Sequence, residues 1–325
     1  MNILFLCVGN SARSQIAEGL AKEMLGSDHN IQSAGSMPKG KIHPGAFKIM
    51  KDIGIDISGQ SSKSIDDLDK DSISLINLDD KNANYVVQNT ISKVSRLSLK
   101  KDADYRLKII ENSFMGLIIK VEDQLINTQL IGKFNAYNLL TVFSASKLLN
   151  LDTKKIFLGL SMLKNPEGRF DVIHINKIVG IVDYAHSPDA LLNVLETISE
   201  IKNKENSIIT VVGCGGGRDK EKRFKMGKIA SKLSSRVIFT SDNPRDEDPE
   251  LIIDEMVLGV DEKDKNKIRN IVDRKEAIIE ASKIVKPNDI LLVAGKGHEN
   301  YQIIRSKKIK FNDKNILKET LKMAV

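Results

Sequence analysis

From residue 169 to the end of this 325-residue chain, short apolar runs alternate with helix-forming stretches. Runs that are apolar throughout are typical of strands in a parallel sheet whose two faces are both covered by helices. The pattern therefore predicts an α/β domain that closes with a hairpin and a final helix. The predicted strands are 178–182, 208–212, 236–240, 268–272 and 290–293, and the predicted hairpin is 301–311.

Two segments with different patterns precede this domain. Residues 1–68 predict two βα units, and a Ser-rich, acidic stretch at 58–71 marks the junction to a mixed segment, 69–168. Two βα units without further strands leave an open sheet edge, which favours aggregation or pairing with another strand. The predicted elements are strands 2–6, 30–33, 74–77 and 116–121, and helices 14–25, 44–53, 136–149 and 153–163.

Composition argues against several function classes. The net charge is +7, but basic and acidic residues are mixed, without the basic stripe and interleaved aromatics of nucleic-acid binders. The two cysteines, Cys7 and Cys214, lack the spacing of a disulfide framework or a metal site. Neither a secretory signal nor an apolar run of membrane-spanning length is evident. We therefore expect a cytoplasmic protein without nucleic-acid or membrane partners, and the sequence leaves its oligomeric state open.

The first segment carries a Cys-x5-Arg motif, Cys7-Val-Gly-Asn-Ser-Ala-Arg13-Ser14, between a predicted strand and a helix. The N–H groups of such a loop converge on one point, and Arg13 adds a planar fork of donors, so the motif predicts an oxyanion cradle. That field favours the thiolate of Cys7, which is the nucleophilic form. Ser14 is placed to donate to the sulfur and to cap the helix. The alternative is a buried structural cysteine beside an ordinary helix.

On this motif, on Ser33-Ala-Gly35 and on Ile53-Gly-Ile-Asp-Ile-Ser58, residues 1–68 resemble the first half of the low-molecular-weight protein tyrosine phosphatases and the related arsenate reductases. The resemblance implies a phosphatase-like α/β segment in which Cys7, Arg13 and Ser14 are catalytic.

That family's general acid lies in an Asp-Pro-Tyr sequence, which is missing here. The only Asp-Pro is Asp248-Pro249, and it is followed by Glu. Asp66 and Asp67 are candidate substitutes only because they are carboxylates near the end of the resemblance. The sequence thus predicts oxyanion binding more firmly than turnover.

Four short motifs follow predicted strands of the C-terminal domain, at the edge where open α/β sheets bind their ligands. After the first strand, Asp183, Tyr184 and His186 stand together, and Ser187 or Asp189 is placed to cap the next helix. Capping does not explain the first three residues, which we interpret as ligand contacts. The second motif, 213–223, is a Gly-rich turn followed by basic residues and suits an anionic group; a tight structural turn is the alternative.

The other two motifs have the residue types that recognise an amino acid. Asn243 and Arg245, in Ser241-Asp-Asn-Pro-Arg-Asp246, offer an amide and a bidentate guanidinium for a carboxylate. Glu299, in Ala294-Gly-Lys-Gly-His-Glu299, offers a carboxylate for an ammonium group. Together they predict a site that holds both ends of an amino acid.

In this order the four motifs closely resemble the UDP-N-acetylmuramoyl-tripeptide synthetases, the MurE-type Mur ligases. Three earlier motifs agree, and seven in register over residues 69–325 make the resemblance specific. The earlier ones are Asn77-Leu-Asp-Asp80, Gly132-Lys-Phe-Asn-Ala-Tyr-Asn138 and Pro166-Glu-Gly-Arg-Phe-Asp171. The resemblance implies the end of the family's central ATPase domain at 69–168 and its Rossmann-like, amino-acid-binding C-terminal domain at 169–325.

The resemblance also implies residue roles and substrates. The Asp-Asn-Pro-Arg form is the variant associated with meso-diaminopimelate, which the family adds to UDP-N-acetylmuramoyl-L-alanyl-D-glutamate with ATP and Mg²⁺. The positions matching diaminopimelate contacts are Arg223, Asp242, Asn243, Pro244, Arg245, Gly295 and Glu299. The positions matching nucleotide contacts are Asn135, Asn138, Arg169, Asp183, Tyr184 and His186.

The ligase reaction needs a Gly-Lys-Thr/Ser loop for the ATP phosphates. Gly-Lys occurs at 40–41, 132–133, 227–228 and 295–296, and none of these pairs precedes Ser or Thr. The family's metal-binding segment is missing too, so neither ATP nor Mg²⁺ has a complete site. A MurE-type ligase with an incomplete catalytic apparatus is therefore the leading interpretation. The alternatives are a hydrolase that uses Cys7, a non-catalytic binder of diaminopimelate or nucleotide, and a rearranged sequence without a selected function.

Overall fold

A computed structural model describes residues 2–26, 28–64, 73–88, 90 and 92–323. The chain forms two compact units. The N-terminal unit comprises 1–110, 118–127 and 134–162, and the C-terminal unit comprises 111–117, 128–133 and 163–325. The expected border at residue 68, together with Asp66 and Asp67, lies outside the described residues.

Two parallel βα units open the N-terminal unit, as the sequence predicts. They consist of β1 (Asn2–Cys7), α1 (Arg13–Leu25), β2 (Asn30–Gly35) and α2 (Pro44–Asp52). Helix α2 begins at Pro44, whose ring presets a helical φ, and the His43 side chain accepts a hydrogen bond from the Gly45 amide.

The sheet does not end at β1. The next strand, β3 (Ile73–Asn77), lies parallel to β1, where Ile3 pairs with Ile73. The sequence predicts an open sheet edge; β3 continues the sheet on one side of β1, and β2 is the outer strand on the other side. The further elements are α3 (Ala83–Val87), β4 (Lys93–Ser98), β5 (Tyr105–Ser113), β6 (Gly116–Val121), β7 (Gln124–Thr128), α4 (Lys133–Leu148) and α5 (Thr153–Met162). The seven strands form one sheet in the order β2-β1-β3-β4-β5-β6-β7.

The C-terminal unit contains a six-stranded sheet in the order β12-β11-β10-β13-β9-β8. The strand at 171–175, which the sequence pattern did not predict, is antiparallel to the strand at 178–183. The other pairs in this sheet are parallel. The elements are β8 (Asp171–Ile175), β9 (Ile178–Asp183), α6 (Pro188–Ile201), β10 (Ile208–Val212), α7 (Glu221–Leu233), β11 (Arg236–Phe239), α8 (Pro249–Val257), β12 (Ile268–Asn270), α9 (Arg274–Ile284), β13 (Ile290–Ala294), the hairpin β14 (Tyr301–Ile304) and β15 (Lys307–Lys310), and α10 (Asp313–Met323).

Both faces of this second sheet are buried, which confirms the parallel α/β fold. Alternate residues of a strand point to opposite faces. Accordingly Leu292 belongs to an apolar cluster with residues of α6, α7 and α8, and its neighbour Val293 belongs to a second cluster with residues of α9 and α10. All five residues of β10 and of β13 are buried. The carboxyl ends of four adjacent parallel strands therefore bring their following loops to one edge.

Among the described residues, no helix combines the length and apolar character needed to cross a membrane.

The crossing of α7 and α8 depends on a glycine. A Cβ at Gly227 would lie 1.9 Å from the Met256 carbonyl oxygen, so no larger residue fits without separating the helices. We predict that Gly227→Ala lowers the free energy of unfolding of this unit by about 1–3 kcal/mol, measured by urea denaturation. The matched control is Gly159→Ala in α5, where nothing lies within 4 Å; it should be neutral or stabilise by up to about 1 kcal/mol. Equal effects of the two changes would contradict the close packing.

Candidate functional site

Four loops at the carboxyl edge of the second sheet form the main candidate site. They follow β9, β10, β11 and β13, which are neighbours in the sheet. These are the loops that carry the four motifs found in the sequence. The sheet topology brings together residues that are up to 116 positions apart (Asp183 and Glu299), because parallel strands all end at the same edge.

Glu299 is held as a carboxylate in this site. Its Oε2 accepts hydrogen bonds from Asn243 Nδ2 and Lys296 Nζ, each at 2.9 Å. Burial by itself raises the pKa of Glu299, but the hydrogen bonds from Lys296 and Asn243 outweigh it, so the pKa lies below its usual range. Within the described ranges no hydrogen-bond donor reaches Oε1. Glu299 therefore retains an acceptor oxygen for a ligand ammonium group.

Asn243 is fully engaged in positioning. Its Oδ1 accepts from Lys296 Nζ at 3.0 Å and from the Ile303 amide at 2.8 Å, while its Nδ2 holds Glu299. Lys296 is fully buried and contacts only these two side chains by hydrogen bonds among the described residues. The Asn243 side chain thus connects the loop after β11 to the loop after β13, and it fixes the position of Glu299.

Arg245 is half-buried and has a left-handed φ of 55°. Its Nη1 donates to the carbonyl oxygens of Gly216, at 2.5 Å, and Asn243, at 3.4 Å. A Cβ at Gly215 would approach this Nη1 to 3.1 Å, so the guanidinium packs closely against the Gly-rich turn. Within the described part of the chain no carboxylate pairs with Arg245, whose side-chain hydrogen bonds go to carbonyl oxygens.

Arg223 is a buried residue with carboxylate partners in the protein. Its side chain is 1% exposed and pairs with Glu247 at 2.9 Å and with Glu255 at 2.8 Å. A second nitrogen donates to the Gly215 carbonyl oxygen at 3.4 Å. The structure therefore gives Arg223 protein partners beneath the Gly-rich turn, and its predicted contact with the ligand stays a prediction.

Three other predicted positions shape the same edge. Asp242 is 8% exposed, and its Oδ2 has no hydrogen-bond partner among the described residues. Gly295 has a φ of 118°, and a Cβ there would lie 2.7 Å from that oxygen. The Pro244 carbonyl oxygen likewise packs where a Cβ on Gly216 would be. Asp242 Oδ2 is thus a buried acceptor without a partner in the described part of the chain.

The anion-binding motif of the N-terminal unit also has a defined geometry. Cys7 Sγ lies 3.0 Å from Ser14 Oγ and accepts a hydrogen bond of 3.0 Å from the Asn10 amide. Asn10 itself has a φ of 40° and donates to Ser33 Oγ at 2.7 Å. The predicted cap is wrong: α1 begins at Arg13 without a side-chain cap, because the Ser14 hydroxyl contacts the Cys7 sulfur and Asn10.

Comparison with known proteins identifies both parts. The family model described as the Mur ligase, glutamate ligase domain, matches residues 168–297. A UDP-N-acetylmuramoyl-L-alanyl-D-glutamate–2,6-diaminopimelate ligase of Bacteroides thetaiotaomicron is 49% identical over 258 residues, which are 79% of this chain and 54% of that relative. The namesake of Bacteroides fragilis is 48% identical over 264 residues, 81% of this chain and 54% of the relative. The greater part of the chain belongs to the Mur ligase family.

The solved structures agree with this assignment. A 2,6-diaminopimelate ligase structure matches with a TM-score of 0.57 and 34% identity, over 77% of this chain and 53% of that one. A MurF structure from Acinetobacter baumannii, at 13% identity and a TM-score of 0.58, shares the fold over 99% of this chain and 77% of its own. This chain spans about half the length of the curated ligases it matches.

The phosphatase-like part is confirmed as well. The family model of the low-molecular-weight phosphotyrosine protein phosphatases matches residues 2–107. That match extends beyond residue 68, where the motif-based resemblance ends, and it overlaps the part shared with the Mur ligases.

In this Mur ligase chain the residues expected around the nucleotide lie in both units. In the C-terminal unit, Asp183 Oδ2 accepts from the Phe170 amide at 2.7 Å, and burial raises the pKa of Asp183. The Tyr184 ring lies 4.5 Å from the His186 ring and 4.7 Å from the Arg169 guanidinium. These side chains form an aromatic and cationic cluster in which the Tyr184 and His186 rings meet edge to face.

Asn135 and Asn138 belong to α4 of the N-terminal unit. Asn138 Nδ2 donates to Asn135 Oδ1 at 3.0 Å. The six nucleotide positions are therefore divided between two units, and a shared nucleotide site remains a prediction.

Two residues of this site were missed by sequence reasoning. Lys296 holds both Asn243 and Glu299, and the ring of His298 lies 5.0 Å from that of Tyr184. Both belong to the Gly-Lys-Gly-His-Glu motif. Their closeness in sequence to Glu299 was the signal that could have identified them as residues of the site. A buried lysine cannot be distinguished from a solvated one by the sequence alone.

Mur ligases use ATP and Mg²⁺ in general. The residues of this chain do not fit the phosphate-binding part of such a site, because none of its Gly-Lys pairs is followed by Thr or Ser. Among the described residues no three His, Cys, Asp or Glu side chains form a group suited to a metal ion.

The pair of Arg223 and Glu247 generates a pH prediction. Hydrogen bonds from Arg223 lower the pKa of Glu247 to about 2. Because this folded-state value lies below the unfolded value of about 4.3, the pair stabilises the fold above that pH, and its contribution is lost as the pH falls toward 2. We expect a carboxyl ¹³C NMR titration to show a midpoint near 2 for Glu247.

The control for this titration is Glu255→Gln, which leaves both Glu247 contacts to Arg223 in place. The low midpoint should persist in that variant and rise in Arg223→Met. A midpoint in the ordinary glutamate range in the unaltered protein would contradict the pairing.

Proposed function

We propose that the C-terminal unit binds meso-diaminopimelate, as the amino-acid-selecting part of a MurE-type ligase. The observation that carries this proposal is the pairing of opposite charges at one loop edge. The Glu299 carboxylate is held by Asn243 and Lys296, and the Arg245 guanidinium has no carboxylate partner within the described ranges. An amino acid presents the complementary pair, an ammonium and a carboxylate.

The choice of diaminopimelate rests on its second amino-acid end. Lysine has one carboxylate, whereas diaminopimelate has two, so only the latter supplies a distal carboxylate in addition to the one at the reacting end. Arg245 offers a planar donor fork for such a group. The names of the matched Bacteroides ligases, which specify 2,6-diaminopimelate, support the same choice.

The complete reaction of the curated ligases is a wider proposal. It joins diaminopimelate to UDP-N-acetylmuramoyl-L-alanyl-D-glutamate in the cytoplasm, with ATP and Mg²⁺. Positioning and charge stabilisation at the phosphates supply most of the catalysis in phosphoryl transfer. Since these 325 residues lack the Gly-Lys-Thr/Ser loop, we propose that they contribute amino-acid recognition and do not by themselves activate the acyl group.

Calorimetry tests the binding site. The unaltered chain should bind meso-diaminopimelate at least about tenfold more tightly than L-lysine, and Arg245→Ala should remove that preference, because it removes the donor fork. Arg269→Ala is the control. Arg269 is an exposed residue of strand β12, away from the site, and it pairs with Glu280 of α9. Equal affinities of the unaltered and Arg245→Ala proteins would rule out the proposed site.

A second function is favoured by the Cys7 loop. We propose that it binds phosphate monoesters and hydrolyses them slowly through the Cys7 thiolate. The supporting observation is the pair of contacts to Cys7 Sγ, from the Asn10 amide and Ser14 Oγ, which stabilise a negative sulfur.

The two cysteines provide a matched pair for its test. We predict that Cys7→Ser abolishes release of p-nitrophenol from p-nitrophenyl phosphate. Cys214→Ser should leave it unchanged, because Cys214 is buried and burial raises its pKa to about 12, which keeps it a thiol. Retained activity in Cys7→Ser would exclude Cys7 as the nucleophile.

A further inference from the structure

The last helix of the C-terminal unit contacts two of the motif loops with its first turn. Asp313 and Lys314 are the first residues of α10, and each makes an ion pair with a residue far away in the sequence. The family model of the Mur ligases ends at residue 297, before this helix begins. None of the motifs found in the sequence includes either residue. The two contacts therefore need an explanation of their own.

Asp313 connects α10 to the loop that carries Glu299. Its carboxylate accepts hydrogen bonds from Arg274 Nε and Nη2, each at 2.8 Å, and both side chains are completely buried. The same Nη2 donates to the carbonyl oxygen of Ala294 at 2.9 Å. Ala294 directly precedes residues 295–299, which we call the glutamate loop. Asp313 thus fixes the start of the glutamate loop through Arg274.

The charges around Arg274 belong to the same edge of the sheet. Burial by itself lowers the pKa of Arg274, but the carboxylates of Asp313, Asp242 and Glu299 outweigh it and raise that pKa. Arg274 Nη1 and Asp242 Oδ2 are a buried donor and a buried acceptor without partners in the described part of the chain. The pair of Arg274 and Asp313 therefore lies within electrostatic reach of two carboxylates of the proposed amino-acid site.

Lys314 connects α10 to the loop that carries Arg169. Its Nζ donates to Asp171 Oδ2 at 2.6 Å, and the same oxygen accepts from the Gly168 amide at 3.3 Å. Asp171 directly follows residues 166–170, which we call the arginine loop. Lys314 thus fixes the end of the arginine loop.

The two loops pack against each other through their backbones. A Cβ at Gly168 would lie 2.1 Å from the His298 amide nitrogen, and a Cβ at Gly297 would lie 2.6 Å from the Gly168 carbonyl oxygen. The His298 ring and the Arg169 guanidinium also lie 5.0 Å and 4.7 Å from the centre of the Tyr184 ring. Because tightly packed groups transmit displacements to one another, a shift of one loop moves the other.

We propose that the first turn of α10 holds the arginine loop and the glutamate loop in register, so that a ligand bound at either loop depends on the geometry of both. Asp313 and Lys314 are positioning residues in this arrangement, since neither belongs to the positions expected to contact a ligand. The role of the glutamate loop rests on the diaminopimelate site proposed above, and its connection to α10 goes beyond that site.

Amide hydrogen exchange tests the connection without a ligand. Lys314→Met removes the ammonium group and keeps the aliphatic stem. It should speed exchange at least about threefold at the hydrogen-bonded amides of Phe170 and Gly295, one in each loop. Lys314→Arg should restore slow exchange, and Lys318→Met, at an exposed position one turn further along α10, is the matched control. Unchanged exchange in Lys314→Met, or faster exchange in the arginine loop alone, would overturn the proposal.

A second variant approaches the connection from the glutamate loop. Asp313→Asn keeps the shape of the side chain and removes the charge that pairs with Arg274, so exchange should become faster in both loops here too. Because a buried charge without its partner is strongly destabilising, circular dichroism checks that this variant is folded. Lys314→Met decides the question if Asp313→Asn is unfolded, since the Lys314 side chain is partly exposed.

Calorimetry with meso-diaminopimelate separates positioning from a purely structural role. A partly exposed ion pair contributes little to stability, so Lys314→Met should change the unfolding temperature by no more than about 4 °C. It should nevertheless weaken diaminopimelate binding at least about threefold, and Lys314→Arg should restore the affinity. Full affinity in Lys314→Met, or an equal loss in the Lys318→Met control, would overturn the positioning role.

The two measurements also separate this inference from the function on which it rests. If the unaltered chain does not bind meso-diaminopimelate, the binding function proposed above is wrong, and hydrogen exchange alone decides whether α10 connects the two loops. If the unaltered chain binds it and exchange in the two loops is the same in Lys314→Met, the binding function stands and the connection is wrong.

Discussion

The burial of the second sheet on both faces is the constraint on which the C-terminal unit depends. Strands that are covered on both sides must be apolar along their whole length, so polar chemistry is confined to their ends. All the parallel strands end at one edge, and there the chain places its charged and Gly-rich loops. A fully buried ion pair, Arg274 with Asp313 at 2.8 Å, secures this edge, because Arg274 also donates to the carbonyl oxygen of Ala294, the last residue of β13. Breaking such a pair leaves an unpaired buried charge, which is strongly destabilising.

Two further buried cations organise the loops that this sheet presents. Arg223 joins Glu247 and Glu255 beneath the Gly-rich turn, while Lys296 joins Asn243 to Glu299. In each case the cation pairs with protein carboxylates, and the pairing fixes the positions of those carboxylates. Arg245 is the contrasting case, since its guanidinium contacts carbonyl oxygens and keeps its charge uncompensated. In the proposed recognition of a zwitterion, some residues would hold the site in place and others would meet the ligand.

The N-terminal unit shows how pieces from two families share one sheet. The phosphatase-like β1 lies between β2 and β3. The phosphatase family model covers β3 too, and β3 ends at Asn77, the first residue of a motif shared with the Mur ligases. A βα unit brings the same strand–loop–helix geometry to any parallel sheet, and the loop after the strand points to the ligand-binding edge. This explains physically why the Cys-x5-Arg loop and α4 line one cavity of the N-terminal unit. The fold likeness to a MurF ligase over nearly the whole chain is consistent with that arrangement.

The sequence by itself determined the parallel α/β architecture of the C-terminal unit, the first two βα units and the family of the greater part of the chain. Apolar strands and Gly-rich turns are local sequence signals, and the spacing of motifs can be read directly from the sequence. The tertiary structure decided the rest: that β3 lies beside β1, that Ser14 makes the predicted contact with the sulfur without also capping the helix, and that Arg223 and Lys296 are buried among protein partners. These outcomes depend on contacts between residues far apart in sequence, such as Lys296 with Asn243. The type of a charged residue does not reveal whether its charge is paired with a neighbouring residue or is available to a ligand.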